Sequence, residues 1–228
     1  MKPILPGAPW LIAHRSMLGV DKPRKVTLNG QDYVLWQNDR GEIFALDNIC
    51  PHMQAPLSNG LICQERNTIA CTFHALEFDG EGRLCREGQR DSQPIAQPLR
   101  LTVIGDYIWT YGNCEPRSPI PDIVQSIAAE YEFIGIAGER TIRSDFLSTW
   151  LINSDFNHQN GTHRELFQIV HNEMTEFVID GYWYKVKQES TRANNSLGEL
   201  FGNPVLLTLP KTLKSTVEYF FPSVLVLY

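Results

Sequence analysis

Two short pairs of cysteine and histidine constrain this chain more than any other feature of it. One is Cys50-Pro51-His52; the other is Cys71-Thr72-Phe73-His74, with 18 residues between His52 and Cys71. Each pair must ride on a tight loop, and the chain between them must bring the two loops side by side. A small rigid β framework with neighbouring loops at one end does that. The chemistry is as narrow as the geometry. Two sulfurs and two imidazoles suit either a tetrahedral zinc ion or a cluster of two irons. Zinc sites commonly draw like residues from each segment, two Cys followed by two His. Here each loop offers one of each, which is what a diiron cluster needs when one iron takes the sulfurs and the other the nitrogens.

That ligand set is the one of a Rieske [2Fe–2S] centre. Imidazoles donate less charge than thiolates, which lifts the potential to roughly −150 to +300 mV. The pattern therefore points to a one-electron carrier, with a zinc-stabilised binding module as the alternative. Of the five cysteines, Cys63, Cys85 and Cys114 remain outside the pairs. An odd remainder argues against a disulfide framework and for a reducing, cytoplasmic setting, with these three as small buried apolar residues.

With 228 residues, 43% hydrophobic and 20% charged, the chain can bury a core. The net charge of −6 excludes a basic nucleic-acid footprint. No apolar run reaches membrane-spanning length, and Met1-Lys2-Pro3-Ile4 lacks the layout of a signal peptide.

Residues 26–45 read as three strands joined by the turns Asn29-Gly30 and Asp39-Arg40-Gly41, leading into the first Cys/His loop. Thr68-Ile69-Ala70 enters the second loop and Glu77-Phe78-Asp79 leaves it. Strands over Leu99–Val103 and Tyr107–Tyr111 close the series. Pro116, Pro119 and Pro121 then mark a stiff linker. The organisation is an all-β domain over 1–113, a linker over 114–122 and an α+β domain over 123–228. In the latter, Ser144–His158 is expected to be helical, with Ser144 as N-cap and Phe146, Leu147, Trp150, Leu151 and Phe156 at helical spacing. Strands follow at Phe177–Ile179, Tyr182–Lys187, Val205–Leu209, Val217–Phe220 and Val224–Tyr228. The aromatic run Tyr219-Phe220-Phe221 reads as core, or as the lining of an apolar pocket.

A second candidate metal site lies at the end of the helical segment. His158 and His163, with Asp155 nearby, suggest non-haem Fe(II), which favours two His and one carboxylate on one face. Five residues span about 140° of an ideal helix, so the two imidazoles cannot meet on an unbroken one. Gly161 offers the break. His14 and His171 fall outside both motifs and read as structural or surface residues.

At this point the chain resembles the oxygenase components (α subunits) of Rieske non-haem iron oxygenases. The stretches Cys50–Gly60 and Cys71–Asp79 resemble the cluster loops, and Asp155-x2-His158-x4-His163 resembles the catalytic-iron motif. Trp10-Leu11-Ile12-Ala13 fits as well. The resemblance implies an N-terminal all-β Rieske domain and an α+β catalytic domain of helix-grip (START-like) type. Cys50, His52, Cys71 and His74 would hold the cluster, and His158 and His163 a mononuclear Fe(II). A flavin reductase using NAD(P)H, or a ferredoxin, would supply electrons. O2 would then be used to hydroxylate or demethylate a small organic substrate. The resemblance also implies a homotrimer in which the Asp155 carboxylate takes hydrogen bonds from His158 and, across the interface, from His74 of a neighbouring copy. The alternative of another class is a Rieske electron-transfer protein without catalytic iron.

This sequence departs from the family pattern at Met53-Gln54, where Arg-Gly is usual, and at Ala75-Leu76, where Gly-Trp is usual. The family's third iron ligand, an Asp, is expected farther beyond His163 than this chain extends, so the catalytic domain is expected to be partial. Glu165 and Asp180 are the internal carboxylates that could stand in.

Overall fold

The computed structural model describes residues 5–86, 89–155, 157–163, 167–193, 202 and 205–228. It divides into two compact units, residues 1–135 and 136–228.

In the first unit, strands β1 (Trp10–His14), β10 (Thr102–Ile104) and β11 (Tyr107–Thr110) form an antiparallel sheet in the order β1-β11-β10. A second sheet joins β2 (Arg24–Leu28), β3 (Gln31–Gln37) and β4 (Ile43–Asp47) in chain order. Its first turn is the expected Asn29-Gly30. Both residues have positive φ (53° and 78°), and Leu28 pairs directly with Gln31, the two-residue turn whose twist matches a hairpin. A third sheet runs β5 (Leu61–Cys63), β6 (Thr68–Ala70), β7 (Glu77–Asp79), β8 (Arg83–Arg86), β9 (Gln89–Pro94), again in chain order.

Strand β3 is central because it is apolar on both faces. Val34 and Trp36 enter a core with Leu46, Leu57, Ile69 and Phe78, while Leu35 enters a second core with Ala13, Ala45 and Ile108. Cys50 and Cys71 lie in the first of these cores. Leu99, expected in a strand, is instead buried ahead of β10 and donates its N–H to the Ala45 carbonyl at 2.9 Å. The proline-rich stretch folds back on the N-terminal residues, with the Arg117 N–H 2.8 Å from the Gly7 carbonyl. It leads into helix α1 (Ile123–Glu130).

The second unit holds helix α2 (Phe146–Ser154), the single turn α3 (His158–Gly161) and a meander of four antiparallel strands. These are β12 (Ile169–Asp180), β13 (Trp183–Arg192), β14 (Thr212–Phe220) and β15 (Val224–Leu227). Two expectations change here. Val205–Leu209, expected as a strand, contains a helical turn, α4 (Val205–Thr208). The helix expected over Ser144–His158 starts later and stops sooner. Asp145, not Ser144, is the N-cap; its backbone is extended and its carboxylate accepts from the Ser148 N–H at 2.9 Å. A carboxylate also suits the positive end of the helix. The helix ends because Asp155 turns extended and its side chain captures the Asn157 N–H at 2.9 Å, a local bond that competes with the helical ladder. Phe156 and Glu165 lie outside the described residues. Among the described residues no helix is long and apolar enough to cross a membrane.

Candidate metal centres

The two Cys/His loops are copies of one turn. In the first, Cys50 donates its N–H to the Ala55 carbonyl (2.8 Å) and accepts from the Gln54 N–H (2.8 Å). In the second, Cys71 donates to Leu76 (2.9 Å) and accepts from Ala75 (3.0 Å). The residue four after each cysteine, Gln54 or Ala75, sits at positive φ (58° and 52°). These are the two positions where glycine is usual, and the backbone explains why glycine is suited to them.

The twin turns sort the side chains by depth. Cys50 and Cys71 are 2% and 3% exposed, on an apolar floor that includes Leu57, Ile69 and Phe78. His52 and His74 stand outside, exposed, with ring centroids 4.7 Å apart and planes at 73°. Burial, and then the neighbouring Cys71, push the Cys50 thiol above its ordinary pKa. The site is therefore two pairs, sulfurs inward and nitrogens outward. Among the described residues no three His, Cys, Asp or Glu side chains surround a single point.

Two supports of these loops escaped the sequence reading. Asn48, buried two residues before Cys50, accepts the Ser58 N–H at 2.7 Å and so ties the far end of the first loop to its start. Beneath the second loop, Arg66 forks onto Glu77 (2.8 and 2.6 Å) and Thr68 donates to the same carboxylate at 2.7 Å. The Arg66 hydrogen bonds hold the Glu77 carboxyl below its ordinary pKa against the opposing effect of burial. The cysteines outside the pairs, Cys63, Cys85 and Cys114, are half-buried rather than buried, and none of the five is in a disulfide.

In the second unit the structure brings His158 and His163 together, centroids 5.4 Å apart and planes at 70°. The helix break expected near Gly161 falls there: α3 ends at that residue and the chain leaves through Thr162. Asp155 sits beside His158 but binds it differently from expectation. His158 Nδ1 faces the Asp155 main-chain carbonyl at 2.5 Å, while the carboxylate is engaged with Asn157. A carbonyl on Nδ1 fixes the tautomer and leaves Nε2 for a metal. Asp180 stands at the β12–β13 turn, and among the described residues it completes no three-ligand group. His14 is buried and caps a short helical turn through Ser16, and His171 is exposed beside Glu173. Tyr219 is buried, as the core reading of that aromatic run expects.

Residues 9–98 match the Rieske [2Fe-2S] domain family. The chain carries a Rieske domain. Its relatives include named oxygenases, and its structural neighbours include monooxygenases. Aminopyrrolnitrin oxygenase PrnD of Pseudomonas fluorescens is 30% identical over 127 residues, 51% of this chain and 34% of that protein. The oxygenase component of dicamba O-demethylase from Stenotrophomonas maltophilia is 27% identical over 162 residues, 68% of this chain and 47% of that protein. Crystal structures of dicamba monooxygenase share the fold over 99% of this chain. The one bound to dicamba covers 67% of that chain at 20% identity and TM-score 0.76. Another, with non-heme iron and dicamba, covers 66% at 20% identity and TM-score 0.65. The Rieske domain plus an α+β second domain is thus the architecture expected from the sequence. The chain spans less than half the length of these two curated relatives.

Proposed function

We propose that this chain is the electron-accepting and oxygen-activating part of a Rieske oxygenase acting on a small organic molecule. The observation that carries the reading is the twinned loop pair, with two buried sulfurs and two exposed imidazoles on identical turns. Cys50 and Cys71 would hold the inner iron of a [2Fe–2S] cluster, and His52 and His74 the outer. His158 and His163 fit as two of the three ligands of a mononuclear iron. A cluster held there would supply single electrons, and an Fe(II) held by the His pair would supply O2 activation toward hydroxylation or demethylation. What the chain itself does is hold and orient. The apolar floor keeps water from the sulfurs. The exposed imidazoles put the electron path at the surface, where a reductase or ferredoxin can reach it. Asp155 fixes the His158 tautomer through its carbonyl. Its exposed carboxylate has room for a second donor, which in a ring-shaped homotrimer would be His74 of a neighbouring copy.

Iron and acid-labile sulfide, measured per chain on anaerobically purified protein supplied with Fe(II), test this reading. Three irons to two sulfides are expected, with His158→Ala losing one iron, losing oxygenation and keeping the cluster spectrum. Full oxygenation in that variant would sink the assignment. Two irons to two sulfides in the parent protein would instead favour an electron carrier without catalytic iron.

A further inference from the structure

Helix α2 is lightly anchored for an element that leads into the candidate metal ligands. It contains no fully buried residue, and Leu147, Leu151 and Ile152 on it are exposed. What pins it is aromatic. Tyr184 on β13 and Tyr219 on β14 are cross-strand partners, with rings stacked 4.4 Å apart at 12°. Trp150 of α2 meets Tyr219 edge-on at 5.9 Å and Phe221 at 5.0 Å. The two hydroxyls then reach consecutive residues at the helix end. Tyr219 Oη donates to the Asn153 carbonyl. Tyr184 Oη donates to Ser154 Oγ, which in turn donates a hydrogen bond to the Trp150 carbonyl at 2.9 Å. The last carbonyls of a helix have no partner within it, so a buried donor there fixes where the helix stops. The next residue is Asp155, whose carbonyl orients His158.

We propose that Tyr184 and Tyr219 are positioning residues for the iron site: their hydroxyls lock the end of α2 and with it the segment that presents His158 and His163. This rests on the reading of that His pair as iron ligands. Burial raises both phenols, Tyr219 to about 12, so both stay proton donors across the working range of pH. Neither hydroxyl touches the metal ligands; each acts through the backbone that carries them.

The test uses the full chain with its cluster oxidised and no O2 present. Fe(II) binding is followed by equilibrium dialysis, and Co(II) in the same site by electron paramagnetic resonance. Tyr184→Phe and Tyr219→Phe keep the stacked rings and remove only the hydroxyls. Together they are expected to weaken Fe(II) binding about tenfold, the scale of lost outer supports to metal ligands. They should broaden the Co(II) signal while leaving the cluster absorption unchanged. Ser154→Ala keeps both tyrosines and should reproduce the Tyr184→Phe effect. If the double variant binds Fe(II) within twofold of the parent, the clamp is overturned even should its melting temperature fall, because the hydroxyls then serve packing alone. If the parent binds no Fe(II) beyond its cluster, the iron reading falls and takes the clamp with it.

Discussion

The two candidate centres are built on opposite plans. In the first, two hydrogen-bonded turns of identical geometry rise from a core that already contains the cysteines. In the second, two half-buried imidazoles sit on a single helical turn and its exit, held by one carbonyl and by a helix end that aromatic hydroxyls secure. The difference teaches where preorganisation comes from. The cluster site is set by backbone turns and core packing, so it is rigid before any metal arrives. The His pair is set by side chains acting at the end of an exposed helix, so its geometry is held by fewer bonds.

Substitutions at the two centres should therefore differ in kind. Cys71→Ser is expected to give the largest effect: complete loss of the cluster's visible absorption and of its labile sulfide, with the second unit unaffected by circular dichroism. Retention of a Rieske spectrum in that variant would remove Cys71 from the ligand set. Next comes the floor. Phe78→Ala empties a fully buried ring position in the core shared by both cysteines, and is expected to cost about 3–5 kcal/mol of stability by denaturant titration. Loss of under 1 kcal/mol would show that the loops do not depend on that core.

Much of the cluster half was legible in the sequence because its elements are local. The Asn29-Gly30 turn, the Cys/His spacing and the runs around Val34 and Ile69 each specify their own conformation within a few residues. The five-residue gap between His158 and His163 likewise required a helix break, and one is there. What stayed hidden was decided by neighbours distant in sequence. Strand β9 is exposed along its whole length, so no alternation marks it. Asn48 and the Tyr184–Tyr219 pair carry no motif, and their roles come from partners that only the fold supplies. The sequence points to the Asp155 carboxylate as the partner of His158, but that carboxylate takes the Asn157 N–H and the main-chain carbonyl meets His158 instead. Val205–Leu209, apolar and β-branched at its start, reads as a strand by composition, yet Val205–Thr208 forms a helical turn.

The ion pair beneath the second loop distinguishes the plans by pH. Hydrogen bonds from Arg66 depress the Glu77 carboxyl in the folded state. A depressed carboxyl stabilises the fold above its unfolded pKa, and that stabilisation is lost as pH falls through the lower, folded value. Glu77→Gln should therefore melt roughly 2–4 °C below the parent at neutral pH, and the gap should close below about pH 4. A gap independent of pH would mean that Glu77 contributes shape rather than charge.

The smallest effects should come from the backbone positions that glycine usually fills. Gln54 and Ala75 each pay for a left-handed conformation, about 1–2 kcal/mol for an L-residue. Replacing either by glycine removes that strain but frees the unfolded chain, which costs about 0.4–1 kcal/mol. The net gain expected from Gln54→Gly or Ala75→Gly therefore lies between about zero and about 1.6 kcal/mol, and is equal in the two loops because their turns are equal. Gly161 gives the contrast. Its φ is not positive, and an added Cβ would meet nothing within 4 Å. Gly161→Ala should leave stability unchanged or slightly raised, with Fe(II) binding intact, as read by thermal melting and dialysis. A loss of Fe(II) binding in Gly161→Ala would mean that the His pair reaches its working geometry only by a backbone change at that residue. Its preorganisation would then be weaker still than that of the cluster loops.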